Sequence, residues 1–184
     1  MIQEFDFAVL DYIQEHIRCV FLDWLMPKVT MLGNGGILCI ALTVLFMLLR
    51  SRRKCGFSLA AGLFLSGLVG NLMLKNIVAR DRPCWINDSV DMLIRIPRDY
   101  SFPSGHTMLC FTVAVVLFCY DRKIGIPAII AAAAVGFSRL YLYVHFPTDV
   151  FAGMLIGILL GVLASFTVKK LWSTAESEKE VVHE

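Results

Sequence analysis

The sequence predicts an all-α bundle of transmembrane helices, and three of its properties lead to this fold class. The 184 residues are 58% hydrophobic and only 17% charged, with a mean hydropathy of +0.71, whereas soluble domains average about 25% charged residues. The apolar residues are gathered in five runs. Backbone groups in lipid must form hydrogen bonds within their own segment, so each run is expected to be an α-helix.

The five runs approach the length of about 20 residues that crosses the hydrocarbon core. Three contain no charged residue, namely Val29–Leu49, Gly56–Leu74 and Val150–Val168. The other two, Ser104–Tyr120 and Ile124–Phe137, are shorter and have polar residues near one end. We therefore predict five membrane spans.

The N-terminal segment Phe5–Met26 differs from these runs because Asp11, Glu15 and Arg18 form a polar stripe at helical spacing. Charges at the bilayer centre are costly. The segment is therefore predicted to be an amphipathic helix lying in the membrane interface. A sixth, tilted span that packs its polar side inward is the alternative.

The chain is expected to form one domain over residues 1–172, with an amphipathic part (1–28) and a helical core (29–172). Residues 173–184 are expected to be a polar, mobile tail. Small residues recur at every fourth position in two spans, which predicts close helix contacts. They are Gly62, Ser66 and Gly70 in the second span and Gly153, Gly157 and Gly161 in the fifth.

Lysines and arginines in short loops predict the orientation in the membrane. Three such groups share one face, which is expected to be cytoplasmic: residues 50–54, 122–123 and 169–170. The opposite face has the long loop 76–103, which is also basic and so departs from the rule. Its arginines are Arg80, Arg82, Arg95 and Arg98. Their presence there calls for a functional explanation.

Several other functions are disfavoured. The net charge of +2, without a basic run interleaved with aromatic residues, argues against nucleic-acid binding. None of the six cysteines forms a C-x-x-C pair, the spacing typical of zinc and redox sites. His145 and Asp149 could be half of a zinc site, but nearby cations would oppose a divalent metal.

Three polar clusters are expected at the face of the long loop. They are Lys75–Pro83, Tyr100–His106 and Ser138–Asp149. Lys75, Arg82 and Arg139 would converge there, and three close cations repel one another unless an anion joins them. Arginine forks match phosphate oxygens, and the helix that opens at Pro103-Ser104-Gly105 presents free N–H groups to an anion. The clusters predict a phosphate site.

Two histidines could supply the chemistry of phosphate-ester cleavage, which needs a nucleophile and an acid. Asp149 lies four residues after His145 and could fix the tautomer of its ring across a turn. His106 has no carboxylate at comparable spacing, so the acid role suits it better. Each feature also has a simpler interpretation: a cation at a helix end can reach the interface, and Pro-Ser-Gly can be only a helix cap.

The three clusters resemble the motifs of the type-2 phosphatidic acid phosphatase superfamily, K-x6-R-P, P-S-G-H and S-R-x5-H-x3-D. Every motif position is present, in order, between Lys75 and Asp149. The resemblance implies that His145 is the nucleophile, Asp149 its orienting partner and His106 the general acid. It implies a phosphate clamp and no metal or cofactor; the clamp residues would be Lys75, Arg82, Ser104, Gly105 and Arg139.

The superfamily also contains soluble vanadium haloperoxidases, but five apolar runs favour the membrane branch. The resemblance therefore implies a short bacterial lipid phosphatase in the plasma membrane, with its site at the extracytoplasmic face. Undecaprenyl diphosphate is the leading substrate by analogy, with phosphatidylglycerol phosphate and phosphatidic acid as alternatives. A lipid phosphotransferase and a phosphate transporter are the other function classes. The loop Cys84–Tyr100 is expected to shape the entrance.

Overall fold

The computed structural model describes residues 2–182, and it contains only helices and connecting segments in that range. The all-helical prediction is therefore confirmed. The α-helices are α1 (Ile2–Tyr12), α2 (Val20–Met31), α3 (Ile37–Leu48), α4 (Arg53–Ser66), α5 (Lys75–Val78), α6 (Pro83–Ile86), α7 (Gly105–Tyr120), α8 (Arg122–Tyr141) and α9 (Pro147–Val182). A π-helical segment, Gly67–Leu74, joins α4 to α5 without a break.

Five apolar helical stretches are present among the described residues. Three are long and apolar enough to cross a membrane, namely Arg50–Ile86, Arg122–Tyr141 and Pro147–Ser177. Two shorter apolar helices, Ile37–Leu48 and Gly105–Tyr120, accompany them. Each of the five stretches overlaps one of the five runs found in the sequence, although their bounds differ.

The predicted extent of the first span, Val29–Leu49, is wrong. The helix α2 ends at Met31 and α3 begins only at Ile37. Between them lies a glycine-rich turn in which Gly36 has a φ of 66°, in the left-handed region that favours glycine. Residues Val29–Met31 therefore belong to the N-terminal part of the chain.

The single N-terminal helix predicted over Phe5–Met26 is also wrong, because the structure has two helices there. A π-helical turn, Ile13–Ile17, ends α1, and extended backbone at Arg18 and Cys19 precedes α2. One acidic residue of α1, Asp6, is turned inward and fully buried, whereas Asp11 of the predicted polar stripe is exposed. Both helices cover the turn between α8 and α9, where they share an apolar cluster with Tyr141–Val144 and Phe146.

The helix α9 is longer than expected and continues through Val182. The residues predicted as a mobile tail are thus helical from Ser173 to Val182, while residues 183 and 184 lie outside the described range. Glu176 accepts hydrogen bonds from Trp172 and Lys54. These contacts tie the polar end of α9 to α4.

The core of the bundle is α7, against which α9 packs at backbone contact. A Cβ atom placed on Gly153, Gly157 or Gly161 would lie 2.7, 2.4 or 2.8 Å from a carbonyl oxygen of α7. The helix α4 joins this contact: the Ser66 and Thr112 hydroxyls are 2.9 Å apart, and the Thr112 hydroxyl also donates to the Gly157 carbonyl of α9 at 3.2 Å. The prediction of close packing at the small residues is confirmed. Because α7 and α9 meet so closely, their first turns are held side by side at one end of the bundle.

Candidate active site

A cavity of about 910 Å³ opens at the end of the bundle where α7 and α9 begin. Six residues predicted for the site line it: Lys75, Arg82, Gly105, His106, Arg139 and His145. The other two predicted residues are placed behind its wall. Ser104 is fully buried, with its hydroxyl 2.9 Å from that of Thr107, and Asp149 is fully buried behind His145.

Arg82 enters the cavity from the segment before α6 and is only 2% exposed. Its guanidinium donates hydrogen bonds to the carbonyl oxygens of Asp99 (2.6 Å), Val144 (2.7 Å) and Tyr100 (3.2 Å). One nitrogen also lies 3.1 Å from Nε2 of His145. Backbone acceptors therefore fix the orientation of this cation, and it faces the ring of the predicted nucleophile.

Arg139, near the end of α8, is 3% exposed. Its Nη1 donates a hydrogen bond of 2.5 Å to the Thr30 hydroxyl. Its Nε is buried and has no hydrogen-bond partner among the described residues. A buried cation with an unsatisfied donor is costly without an anion, so Arg139 makes the cavity a site for one.

Lys75 and Asp99 form an ion pair at the cavity wall. The Asp99 carboxylate also accepts a 2.9 Å hydrogen bond from Arg82. Partial burial would raise the pKa of Asp99, but the hydrogen bond from Lys75 and the charge of Arg82 lower it to about 2. Asp99 is the one carboxylate among the described lining residues. Its single charge is shared between two of the cations that a phosphate group would contact, so those cations keep a net positive charge.

His145 lies in the turn between α8 and α9 and is 1% exposed. Burial, and then the charges of Arg82, Arg139 and Lys75, hold its pKa well below the ordinary value of 6.5. Because Arg82 donates toward Nε2, the ring proton belongs on Nδ1. The ring is therefore neutral at pH 7, with the Nε2 lone pair on the cavity side, as a nucleophile requires.

The opposite ring nitrogen is held through Ser101. Nδ1 lies 3.4 Å from the Ser101 hydroxyl and 3.7 Å from Asp149 Oδ2, and the Ser101 hydroxyl donates a short hydrogen bond to that same carboxylate oxygen. The 3.7 Å separation is too long for a direct hydrogen bond. Asp149 therefore orients His145 largely through Ser101.

Asp149 is itself held by Arg80. Its Oδ1 accepts a 2.7 Å hydrogen bond from Arg80, and its Oδ2 accepts one of 2.9 Å from the Phe146 N–H. Arg80 also donates to Asp6 at 2.6 Å and lies over the Phe146 ring. The guanidinium group of Arg80 thus bridges the two fully buried carboxylates of Asp6 and Asp149. It thereby links α1 to the carboxylate that orients His145.

His106 lies in the first turn of α7, with Nε2 2.8 Å from Asn34 Oδ1. Gly33 permits this approach, since a Cβ there would lie 2.8 Å from the His106 ring. A Cβ on Gly105 would be 3.9 Å from Lys75 Nζ, and no side chain caps the first turn of α7. The open helix end and the second histidine therefore face the same cavity as the cations.

Six residues that form these contacts were not among the site residues predicted from the sequence. Ser101, Arg80 and Asp99 lie within or beside the clusters it identified, so their positions could have drawn attention. Asp6 comes from the N-terminal segment, and Thr30 and Asn34 come from the predicted first span; none of the three belongs to a motif. They contact Arg80, Arg139 and His106, respectively. Across the part of the chain that the structure describes, no group of three His, Cys, Asp or Glu side chains could hold a metal ion.

Comparison with known proteins adds three findings. The sequence model described as "PAP2 superfamily" matches residues 55–173. An undecaprenyl-diphosphatase of Sulfolobus acidocaldarius is 36% identical over 119 residues, which are 64% of this chain and 57% of the relative. The chain spans about half the length of the curated relatives that it matches.

Two solved structures share the architecture. Aquifex aeolicus LpxE superposes with a TM-score of 0.77 and 29% identity, covering 87% of this chain and 94% of that one. A transmembrane PAP2-type phosphatidylglycerolphosphate phosphatase from Bacillus subtilis superposes with a TM-score of 0.76 and 28% identity, covering 92% and 87%. Both alignments extend well beyond the residues matched by the sequence model.

Proposed function

The chain belongs to the PAP2 superfamily, and on that premise we propose that it is an integral membrane lipid phosphatase that works through a phosphohistidine on His145. One observation carries the proposal: three cations and two histidines from separate parts of the chain line a single cavity. The Nε2 lone pair of His145 faces into that cavity beside Arg82. A binding site alone would not need a buried, neutral imidazole oriented by a carboxylate.

The proposed reaction has two steps. In the first, Nε2 of His145 forms a bond to phosphorus, and the bond from phosphorus to the leaving oxygen breaks while His106 gives that oxygen a proton. In the second, His106 takes a proton from water, the water oxygen attacks phosphorus, and the P–N bond breaks. Inorganic phosphate leaves, and both histidines return to their starting states.

The cations stabilise the charge that develops on the equatorial phosphoryl oxygens. Arg82 and Arg139 are held in place by backbone carbonyls and by Thr30, so they need not reorganise during the reaction. Lys75 exchanges its contact with Asp99 for a phosphoryl oxygen when substrate enters. The Gly105 N–H at the start of α7 completes the clamp, whereas Ser104 acts as part of the wall that supports it.

The leading substrate is undecaprenyl diphosphate, since a relative carries the name undecaprenyl-diphosphatase. Phosphatidylglycerol phosphate and phosphatidic acid are the alternatives, and a lipid acceptor replacing water would make the protein a phosphotransferase. We place the site at the extracytoplasmic face of a bacterial plasma membrane. Support comes from the basic residues 50–54, 122–123 and 169–170, none of which is among the residues that line the cavity.

The test is phosphate release by the purified protein in detergent, with lipid diphosphates and monophosphates offered in parallel. His145→Ala should lower turnover at least 1,000-fold, and excess EDTA should leave it unchanged. His16→Ala is the matched control, since His16 is an exposed histidine of the N-terminal region. Full activity in His145→Ala, or loss of activity in EDTA, would contradict the proposal. Product analysis with an acceptor lipid present distinguishes hydrolysis from transfer.

A further inference from the structure

Two arginines of the basic loop, Arg95 and Arg98, have no part in the mechanism so far. Both line the same cavity as His145, and both are exposed. Neither forms a hydrogen bond or an ion pair with any residue that the structure describes. By contrast, Arg80 and Arg82 of the same loop are engaged with Asp149, Asp6 and Asp99. Of the four arginines of the basic loop, these two have no assigned partner or role.

The cavity therefore has a gradient of depth. Arg82, Arg139 and His145 are nearly inaccessible at its inner end, where the reacting phosphoryl group must sit. Arg95 and Arg98 are exposed at its outer end, on the segment Ile94–Asp99 that also supplies Asp99. A ligand held on His145 would extend past Asp99 toward these two cations.

The charges are also unbalanced. Five cations line the cavity, namely Lys75, Arg82, Arg95, Arg98 and Arg139, and Asp99 is the one carboxylate among the described lining residues. A single phosphoryl group can contact Lys75, Arg82 and Arg139. It leaves the outer arginines without an anion, whereas a second phosphoryl group would provide one.

We propose that Arg95 and Arg98 form a binding site for the second phosphoryl group of a lipid diphosphate, and that they make the protein select diphosphates over monophosphates. This inference rests on the proposed function and names its substrate class. The terminal phosphoryl group occupies the inner clamp, and the phosphoryl group joined to the lipid lies between Asp99 and the mouth.

The two arginines also act on the leaving group. When His145 Nε2 bonds to the terminal phosphorus, the bond from that phosphorus to the bridging oxygen breaks. The bridging oxygen departs on the lipid monophosphate with the electron pair of that bond. Arg95 and Arg98 stabilise this developing charge, and the proton from His106 completes the product.

The test compares one prenyl chain bearing either head group, farnesyl diphosphate and farnesyl monophosphate, as substrates of the full-length protein in detergent. The double variant Arg95→Ala/Arg98→Ala should lower kcat/KM for the diphosphate about 25-fold, at roughly fivefold for each exposed contact. The value for the monophosphate should change less than about threefold. Raising the salt concentration should narrow the wild-type preference, because exposed contacts are screened.

The matched control is Arg50→Ala/Arg53→Ala, which removes two exposed arginines from the opposite end of the bundle. It should leave the preference for diphosphate unchanged. An equal loss for both substrates, or no loss for either, would overturn the proposed selectivity. So would the same change in the control variant, since the effect would then come from the total charge of the protein.

A binding measurement separates this inference from the proposed function. His145→Ala, which cannot form the phosphoenzyme, should bind inorganic pyrophosphate more tightly than inorganic phosphate, and the added double substitution should remove the difference. If the wild type turns over neither farnesyl ester but shows this arginine-dependent preference, the proposed function fails and the diphosphate site stands. If turnover is normal and neither turnover nor binding depends on the two arginines, the inference alone fails.

Discussion

The two ends of the bundle are both rich in arginine, but they manage its charge in opposite ways. At the end opposite the cavity, Arg52 and Lys54 are about two-fifths exposed, and each has one carboxylate partner, Asp121 at 3.1 Å and Glu176 at 3.1 Å. At the cavity end, Arg82 and Arg139 are 2% and 3% exposed. Their hydrogen bonds go largely to neutral acceptors, the backbone and the Thr30 hydroxyl.

The difference shows that position and partners, rather than the number of cations, mark a functional site in this fold. Partly exposed pairs of the first kind contribute about 0–1 kcal/mol. Buried cations facing neutral acceptors keep their charge available for a ligand. The following experiments test this difference and the packing of the helices that connect the two ends.

The largest difference is expected between Arg82→Ala and Arg52→Ala. Removing Arg82 deletes a fixed donor beside the attacking nitrogen, so kcat/KM should fall about 100- to 1,000-fold. Arg52→Ala removes an exposed ion pair and should change activity less than about threefold. Steady-state kinetics in detergent, with thermal unfolding to confirm folding, gives the comparison. Similar losses in both variants would remove the distinction between the two ends.

A smaller effect is expected at Arg80, which bridges Asp149 and Asp6. Arg80→Ala should lower kcat about 10- to 100-fold with little change in KM, as is typical when a group that orients a reacting side chain is lost. Arg80→Lys should recover part of kcat, since the lysine ammonium can pair with one carboxylate but cannot bridge two as the guanidinium does.

Asp6→Asn provides a second measurement if Arg80→Ala folds poorly, because it keeps the side-chain shape and leaves Arg80 in place. It should lower kcat about three- to tenfold by weakening the anchor of Arg80. A loss confined to KM in these variants would mean that Arg80 binds substrate and does not position Asp149.

The close packing of α9 against α7 can be tested at Gly157. An alanine there would place its Cβ 2.4 Å from the Met108 carbonyl oxygen, so α9 must shift away from α7. We expect a loss of about 1–3 kcal/mol in stability. Gly67→Ala is the control, since no atom lies within 4 Å of a Cβ at that position. Thermal unfolding in detergent should separate the two, and equal midpoints would contradict the close contact of α7 and α9.

The smallest effect is expected at Thr30, whose hydroxyl accepts the hydrogen bond of Arg139. Thr30→Val keeps the shape but removes the acceptor, so Arg139 loses its fixed direction. KM should rise about three- to tenfold. Thr43→Val is the matched control, since the Thr43 hydroxyl donates to the Cys39 carbonyl of its own helix and has no other partner among the residues that the structure describes. An unchanged KM in Thr30→Val would show that Arg139 is oriented by other contacts.

Much of the fold follows from the sequence because hydrophobic runs and lipid leave few choices. The apolar runs fix the helices, and the spacing of Gly153, Gly157 and Gly161 predicts the α7–α9 contact seen in the structure. Helix ends were less predictable. The π-helical turn after Tyr12 and the break at Cys19 depend on packing against the α8–α9 turn, a contact between distant segments that no local pattern encodes.

The candidate site also contains some residues that the sequence predicts and others that it does not. The sequence could bring Lys75, Arg82, His106, Arg139 and His145 together, because the predicted topology puts all five at the same face of the membrane. Ser104 was expected in the clamp, but its hydroxyl is turned to Thr107. Asp6, Thr30 and Asn34 could not be identified, since each is a single polar residue outside any motif, and its partner lies more than 70 residues away in the sequence.

The contact between Asp6 and the turn that begins α9 has a consequence for biosynthesis. Asp6 accepts hydrogen bonds from the backbone N–H and the hydroxyl of Thr148. It leaves the ribosome about 140 residues before that partner. The Asp6 carboxylate can bind Arg80 earlier, but it lacks these two donors until the start of α9 has been synthesised and packed. Protection of α1 from protease would then report that translation and assembly of the whole bundle are complete.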